Sequence, residues 1–183
     1  MLALDIPIGL PADGAAWPRQ ADIAARNLLG ARRASIFLAP PRPVLDCASY
    51  DLANRVHREL TGKGLSRQSW GLAQKILEAE AFLDGSFQAI EVHPEVSFQA
   101  MNGAPLEQSK KTWNGQMARR ELLRDHGIIV PDRIDQAGDV PPDDLLDAAA
   151  AAWTAWRASR GLAEAVSRPG KAQRDARGSE IWY

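Results

Sequence analysis

The chain has 183 residues, 22 Lys and Arg against 23 Asp and Glu, a net charge of −1, and a composition 45% hydrophobic and 25% charged. These totals fit one globular domain with its own core, and they exclude a global positive field, so contact with a polyanion would need a local basic patch. No apolar run reaches membrane-spanning length, no basic region precedes the short apolar run at the start, and the lone Cys47 permits no internal disulfide and suits a reducing, cytoplasmic setting.

Residues 1–8 read as a strand buried on both faces, as in a parallel sheet. Pro7 cannot donate to a ladder, so the strand should finish near Asp5, placing that carboxylate on the rim where open α/β sheets bind ligands. Residues 19–29 read as a helix stopped by Gly30. A short extended piece is expected at 34–38, then a rigid connector through Pro40, Pro41 and Pro43. Leu52, Val56 and Leu60 fall on one stripe of an amphipathic helix over 46–60. After the break at Thr61-Gly62-Lys63-Gly64, residues 66–83 form another helix with Trp70, Ala73, Ile76 and Leu77 inward, and Asp84-Gly85 turns the chain.

Residues 87–92 read as the second strand, followed by a short helix over 96–101. A helix over 113–126 ends at Gly127, residues 128–130 are briefly extended, and 132–142 form a polar loop. The last helix runs from Asp143 to about Arg160, stopped by Gly161, with an aspartate as N-cap. Residues 1–166 are then the α/β domain, and 167–183 a charged tail ending in a small strand at 181–183. Alternating strands and helices indicate a helix-rich α/β architecture, yet two convincing strands make a thin sheet.

Several groups could carry chemistry. Asp144 and Asp147 are three apart at the first turn of the Ala-rich helix and project from one face. Asp143, Asp144 and Asp147 suit a helix N-terminus for ordinary capping and dipole reasons. Asp5 has no capping role, and a lone buried charge is costly unless paired or metal-bound. If the helix packs beside the strand, Asp5, Asp144 and Asp147 converge on an oxygen-only site suited to Mg2+ or Mn2+. Glu91, His93 and Glu95 could also approach a metal, the plain alternative being a strand end with His93 bonded to backbone.

Thr61-Gly62-Lys63-Gly64-Leu65-Ser66 fails the phosphate-loop pattern, but Lys63 and Arg67 at a helix start could hold an anion. Lys110, Lys111, Arg119 and Arg120 could add basic groups for a phosphate backbone. No nucleophile elbow accompanies Cys47 or any serine, and Trp70, Trp153 and Trp156 sit on helix faces as packing residues.

Asp5-Ile6-Pro7-Ile8-Gly9-Leu10-Pro11, Thr61-Gly62-Lys63-Gly64-Leu65-Ser66-x-Gln68-Ser69-Trp70, Glu91-Val92-His93-Pro94-Glu95-Val96-Ser97-Phe98, Ser109-Lys110-Lys111-Thr112 and Asp143-Asp144-Leu145-Leu146-Asp147-Ala148 together resemble, in order, the prokaryotic DUF429 family, described as a predicted nuclease with a ribonuclease H-like fold. The resemblance implies that Asp5 is a fourth-strand carboxylate and that Asp144 and Asp147 open the last helix, Asp5 and Asp147 as metal ligands and Asp144 as a ligand or an orienter of the water. On the residues' own reading, Asp143, Glu91, His93 and Glu95 could stand around those ligands, and Lys63, Arg67, Lys110 and Lys111 could contact a phosphate backbone. The implied reaction is metal-dependent phosphodiester hydrolysis. Members begin with a three-stranded unit whose Gly-x-Asp supplies a first carboxylate. Here Met1 falls inside the fourth strand, so the expectation is a ribonuclease H-like core truncated at its N-terminus and impaired in activity, with an exposed strand edge open to pairing between copies. The alternative is a non-enzymatic ligand-binding or interaction protein on the same fold.

Overall fold

The computed structural model describes residues 1–83, 88–167 and 180–183. Three short parallel strands form the sheet, in the order β1 (Leu2–Leu4), β2 (Ala89–Val92), β3 (Ile181–Trp182). Leu4 is in register with Glu91, and Glu91 with Ile181. The terminal strand therefore supplies the member that two strands alone lacked. Its outer side is closed by residues 164–166, where the Val166 amide donates to the Ile181 carbonyl at 2.9 Å.

The helices are α1 (Gln20–Leu29), α2 (Arg42–Leu45), α3 (Tyr50–Thr61), α4 (Arg67–Gly71), α5 (Ala73–Phe82), α6 (Pro94–Asn102), α7 (Trp113–Asp125) and α8 (Pro142–Ser159). Helix α1 packs against α6 and β3, and α8 lies against β1, β2, α6 and α7. The alanine run explains the second arrangement. Ala150 and Thr154 are fully buried, and the thin face they form lets α8 come close enough for Ser97 and Thr154 to share a hydrogen bond of 2.9 Å. Phe98, Leu123, Leu146 and Trp153 fill the space between α6, α7 and α8. Ala25, Leu29, Val96 and Ile181 join α1 to α6 and β3.

Several expectations need correction. The piece expected to be extended at 34–38 starts in a turn: after Gly30, at φ +52°, the chain makes a 3-10 turn over Gly30–Ser35, and the backbone becomes extended at Ile36. The helix expected over 46–60 begins only at Tyr50, after a connector that follows α2. Ser49 caps α3 by accepting from the Leu52 amide, so the helix cannot run back into Asp46. On α3 the expected stripe is met in part: Val56 and Leu60 pack against the cluster of Val44, Ala53 and Leu65, with Ala53 and His57 buried, while Leu52 is 41% exposed. The 66–83 helix is interrupted at Leu72, whose amide bonds back to Ser69 and closes α4. Residues 128–130 pair with no strand among the described residues, the Ile128 amide closing onto α7 through the Leu123 carbonyl, and the 132–142 loop contains a 3-10 turn, Gln136–Asp139.

In α8 the N-cap position belongs to Pro141, with Pro142 in the first turn and no side-chain cap, so none of the aspartates caps the helix. Trp156 is 51% exposed rather than packed. The Asp84-Gly85 turn, Phe87 and residues 168–179 of the charged tail lie outside the described residues. Among the described residues no helix is long and apolar enough to cross a membrane.

Candidate functional site

Strands β1 and β2 run parallel, so their C-terminal ends open on the same rim, and a cleft of about 390 Å3 lies there. Asp5, Glu91, His93, Glu95, Lys110 and Asp147 all line it. Asp5 leaves β1, Glu91 stands one residue before the end of β2, His93 and Glu95 enter α6, and Asp147 projects from the second turn of α8. The close packing of α8 on β1 is what brings residues so distant in sequence to one place.

The α8 carboxylates divide by burial. Asp143 and Asp147 are 3% and 8% exposed, whereas Asp144 is exposed. One oxygen from each of the three lies within 4.8 Å of the others. Lys110 extends its ammonium to Asp147 at 2.5 Å and stands 3.8 Å from Asp143, and Lys111 bonds Asp143 at 2.6 Å. Asp147 Oδ1 is enclosed without a hydrogen-bond partner.

Electrostatics follow from these contacts. Asp5 opens to the cleft, yet the protein crowding its carboxyl pushes its pKa up to about 6; Lys110 opposes the rise and Asp144 adds to it. Burial likewise raises Asp147, against the hydrogen bond and charge of Lys110. The hydrogen bond from Lys111 holds Asp143 below the usual carboxylate range. Burial would lower Lys110, but its bond to Asp147, with Asp143 and Asp5 beyond, leaves it raised.

The strand-end acids have partners of their own. Glu91 receives a two-pronged bond from Arg19 at 2.7 and 2.8 Å, and a third from the Ile8 amide at 2.6 Å. The same guanidinium bonds Asp22 at 2.5 Å, and Asp22 accepts from the Ala39 amide at 2.9 Å. All three side chains are buried, and burial still raises Glu91 to about 6 despite Arg19. This network ties the loop after β1 to β2 and α1, which fixes where Asp5 stands. Glu95 pairs with the fully buried Arg119 at 2.6 Å, so Arg119 is not available to a phosphate backbone; Arg120 is engaged by Asp132 and the Val130 carbonyl. His93 Nε2 lies 3.2 Å from the Ser35 carbonyl, the geometry of an N–H donor. That tautomer leaves Nδ1 as a lone-pair acceptor, and Nδ1 has no partner. Burial lowers the His93 pKa, favouring the neutral ring.

The structure thus brings together Asp5, Glu91, His93, Glu95, Lys110, Lys111 and Asp147, with Asp143 and Asp144 adjoining. Lys63 and Arg67 stand apart. Lys63 lines a different depression, and Arg67 covers the Tyr50 ring at 4.2 Å. Arg19, Asp22 and the Arg119–Glu95 pair went unnoticed in the sequence. Only the Arg19–Asp22 spacing at a helix start offered a signal.

A model of the family described as protein of unknown function (DUF429) matches residues 1–174. The chain belongs to the DUF429 family. No curated protein and no solved structure matches it. The family description assigns no activity, so the DUF429 cleft has to be interpreted from its own chemistry.

Proposed function

We propose that this DUF429 chain is a metal-dependent nuclease with a ribonuclease H-like core, hydrolysing a phosphodiester bond in the acidic cleft. The observation that carries this reading is the α8 carboxylate cluster, its oxygens within 4.8 Å of one another, beside an enclosed Asp147 oxygen that no protein group satisfies. Buried polar atoms are ordinarily satisfied, so an orphaned carboxylate oxygen fits a cation-binding role. The donor set is all oxygen, which fits Mg2+ or Mn2+. Asp5, Asp144 and Asp147 would hold the ion, with Asp143 beside them. Bound there, it would supply Lewis-acid activation of water and charge stabilisation at the leaving oxygen.

The chain's own residues would do the rest. Lys110, released from Asp147, would offer its ammonium to a phosphate oxygen at the same spot. His93, neutral and anchored to Ser35, lines the cleft and would keep its enclosed Nδ1 as a proton acceptor beside it. The Arg19–Glu91–Asp22 network would hold Asp5 in place. In a ribonuclease H-like core further strands extend beyond β1. Its outer edge, unpaired among the described residues, is where such a strand would pair, from the same polypeptide or a second copy.

Incubation of labelled single-stranded and branched DNA and RNA with the protein tests the reading. Cleavage is expected with Mn2+ or Mg2+, none with chelator, and none from Asp147→Asn. A second reading, a non-enzymatic binding protein on this fold, is favoured by Lys110 and Lys111, which already neutralise Asp147 and Asp143. Divalent-ion binding without cleavage of any of these substrates would select it.

A further inference from the structure

A second depression, about 420 Å3, shares Ile36 and Phe37 with the acidic cleft, so a single strap of chain divides the two. Its electrostatics are opposite. Its lining includes Arg26 and Lys63 and no carboxylate. Among the described residues neither cation has an ion pair, whereas Arg19, Lys110 and Lys111 in the cleft are each held by a carboxylate. A third cation adjoins: a Cβ placed on Gly64 would lie 3.5 Å from Arg58 Nη2. In a chain of net charge −1, this is a local basic patch of the kind a polyanion requires.

The patch is built rather than incidental. The loop that carries Lys63 is pinned from below. Gly62 ends α3 at φ +72°, His57 Nδ1 meets the Lys63 carbonyl at 2.7 Å, and the Lys63 amide donates to Thr61 Oγ1 at 3.2 Å. His57 is buried and packs edge-on against Trp17, with ring centroids 4.8 Å apart. Trp17 also lines the depression, and its Nε1–H is enclosed with no acceptor. Phe37 stands on the dividing strap, 38% exposed. Cations and an accessible aromatic ring beside one another match a phosphate joined to a planar base.

We propose that this depression binds one nucleotide unit of a single-stranded nucleic acid whose neighbouring phosphodiester lies in the acidic cleft. Lys63 and Arg26 take the phosphate and Phe37 stacks the base. The strand crosses the strap at Ile36 and Phe37. The assignment rests on the nuclease reading for the second half of its geometry, but its binding half is independent of any hydrolysis.

Two measurements test it with the full chain. Anisotropy of a short labelled single-stranded oligonucleotide in chelator reads binding alone. Lys63→Glu and Arg26→Glu should each weaken it at least about tenfold, and Lys63→Gln should reduce the slope of log affinity against log salt by about 0.7. The second measurement compares cleavage of the oligonucleotide with that of bis(p-nitrophenyl) phosphate, a diester too small to span both sites. Lys63→Glu should raise KM about tenfold for the first and leave the second within about twofold. Unchanged oligonucleotide binding in both charge reversals overturns the proposal, as does equal loss on both substrates. If binding depends on Lys63 but neither substrate is cleaved, the nuclease reading fails and the nucleotide site stands. If the diester is cleaved and Lys63 has no effect, the nucleotide site fails and the nuclease stands. Lys63 is exposed, so its variants should melt with the wild type.

Discussion

Replacing Lys110 with Met removes the ammonium that stands 2.5 Å from Asp147 and 3.8 Å from Asp143 while keeping most of the side-chain volume. In the wild type this group neutralises an aspartate whose other oxygen is already unpartnered. A hydrogen bond to a charged group is worth about 1.5–3 kcal/mol. The lysine side chain is 32% exposed, so water replaces part of the interaction and about 1–2 kcal/mol is the fitting range. For a domain of this size that lowers Tm by roughly 2–8 °C in chelator. A divalent ion entering the cluster must displace the same ammonium. The free energy lost from the metal-free variant should therefore return as metal affinity, roughly five- to thirtyfold tighter Mn2+ binding. Thermal melts of both proteins across an Mn2+ series measure the two quantities together, since stabilisation grows as RT ln(1 + [L]/Kd). Equal Mn2+ affinity in the two proteins, or weaker binding by Lys110→Met, would refute the view that lysine and metal compete for Asp147.

Arg19→Met leaves Asp22 and Glu91 buried without their shared cation, and should cost about 3–5 kcal/mol in denaturant unfolding, with the midpoint falling and the slope unchanged. Asp5, with a pKa near 6, must lose its proton to bind a cation. Mn2+ affinity should therefore fall about tenfold from pH 7 to pH 5, as proton and metal compete for one carboxylate, and titration calorimetry at the two pH values checks this. The sign for stability is opposite: a raised carboxylate favours the folded state when protonated, so the contribution of Asp5 without metal weakens as pH rises from about 4 to 6, and it should disappear in Asp5→Asn. Ala150→Leu overfills the face of α8 that meets its neighbours and should cost about 1–3 kcal/mol by thermal melting.

Local punctuation made much of the fold legible. Gly30, Gly62, Gly127 and Gly161 each adopt positive φ beside a helix end expected from the sequence, and Asp5 follows directly on β1 as the Pro7 argument requires. On α3 apolar spacing picked out Val56 and Leu60, which do pack, but it marked Leu52 as well, whereas tertiary packing chose Ala53 and His57. The same ambiguity touches the site. Asp144 and Asp147 share a helix face at three residues' spacing, but so do Asp143 and Asp147 at four. The packing of α8 turns the second pair inward and leaves Asp144 exposed. The pairing of Glu91 with Arg19, 72 residues away, and of Lys110 with Asp147, 37 away, had no local signal at all. Charge runs that read as solvated or nucleic-acid-binding, Lys110-Lys111 and Arg119-Arg120, are engaged by carboxylates across the fold.

The central claim is that the α8 carboxylates and Asp5 form a divalent-cation site. Titration calorimetry of Mn2+ into the wild type and into Asp147→Asn addresses it without requiring turnover. The account predicts saturable binding to the wild type and at least tenfold weaker binding to the variant, which keeps the side-chain volume while removing the charge. Absence of saturable Mn2+ binding to a folded wild-type protein, or equal binding by both proteins, would contradict it.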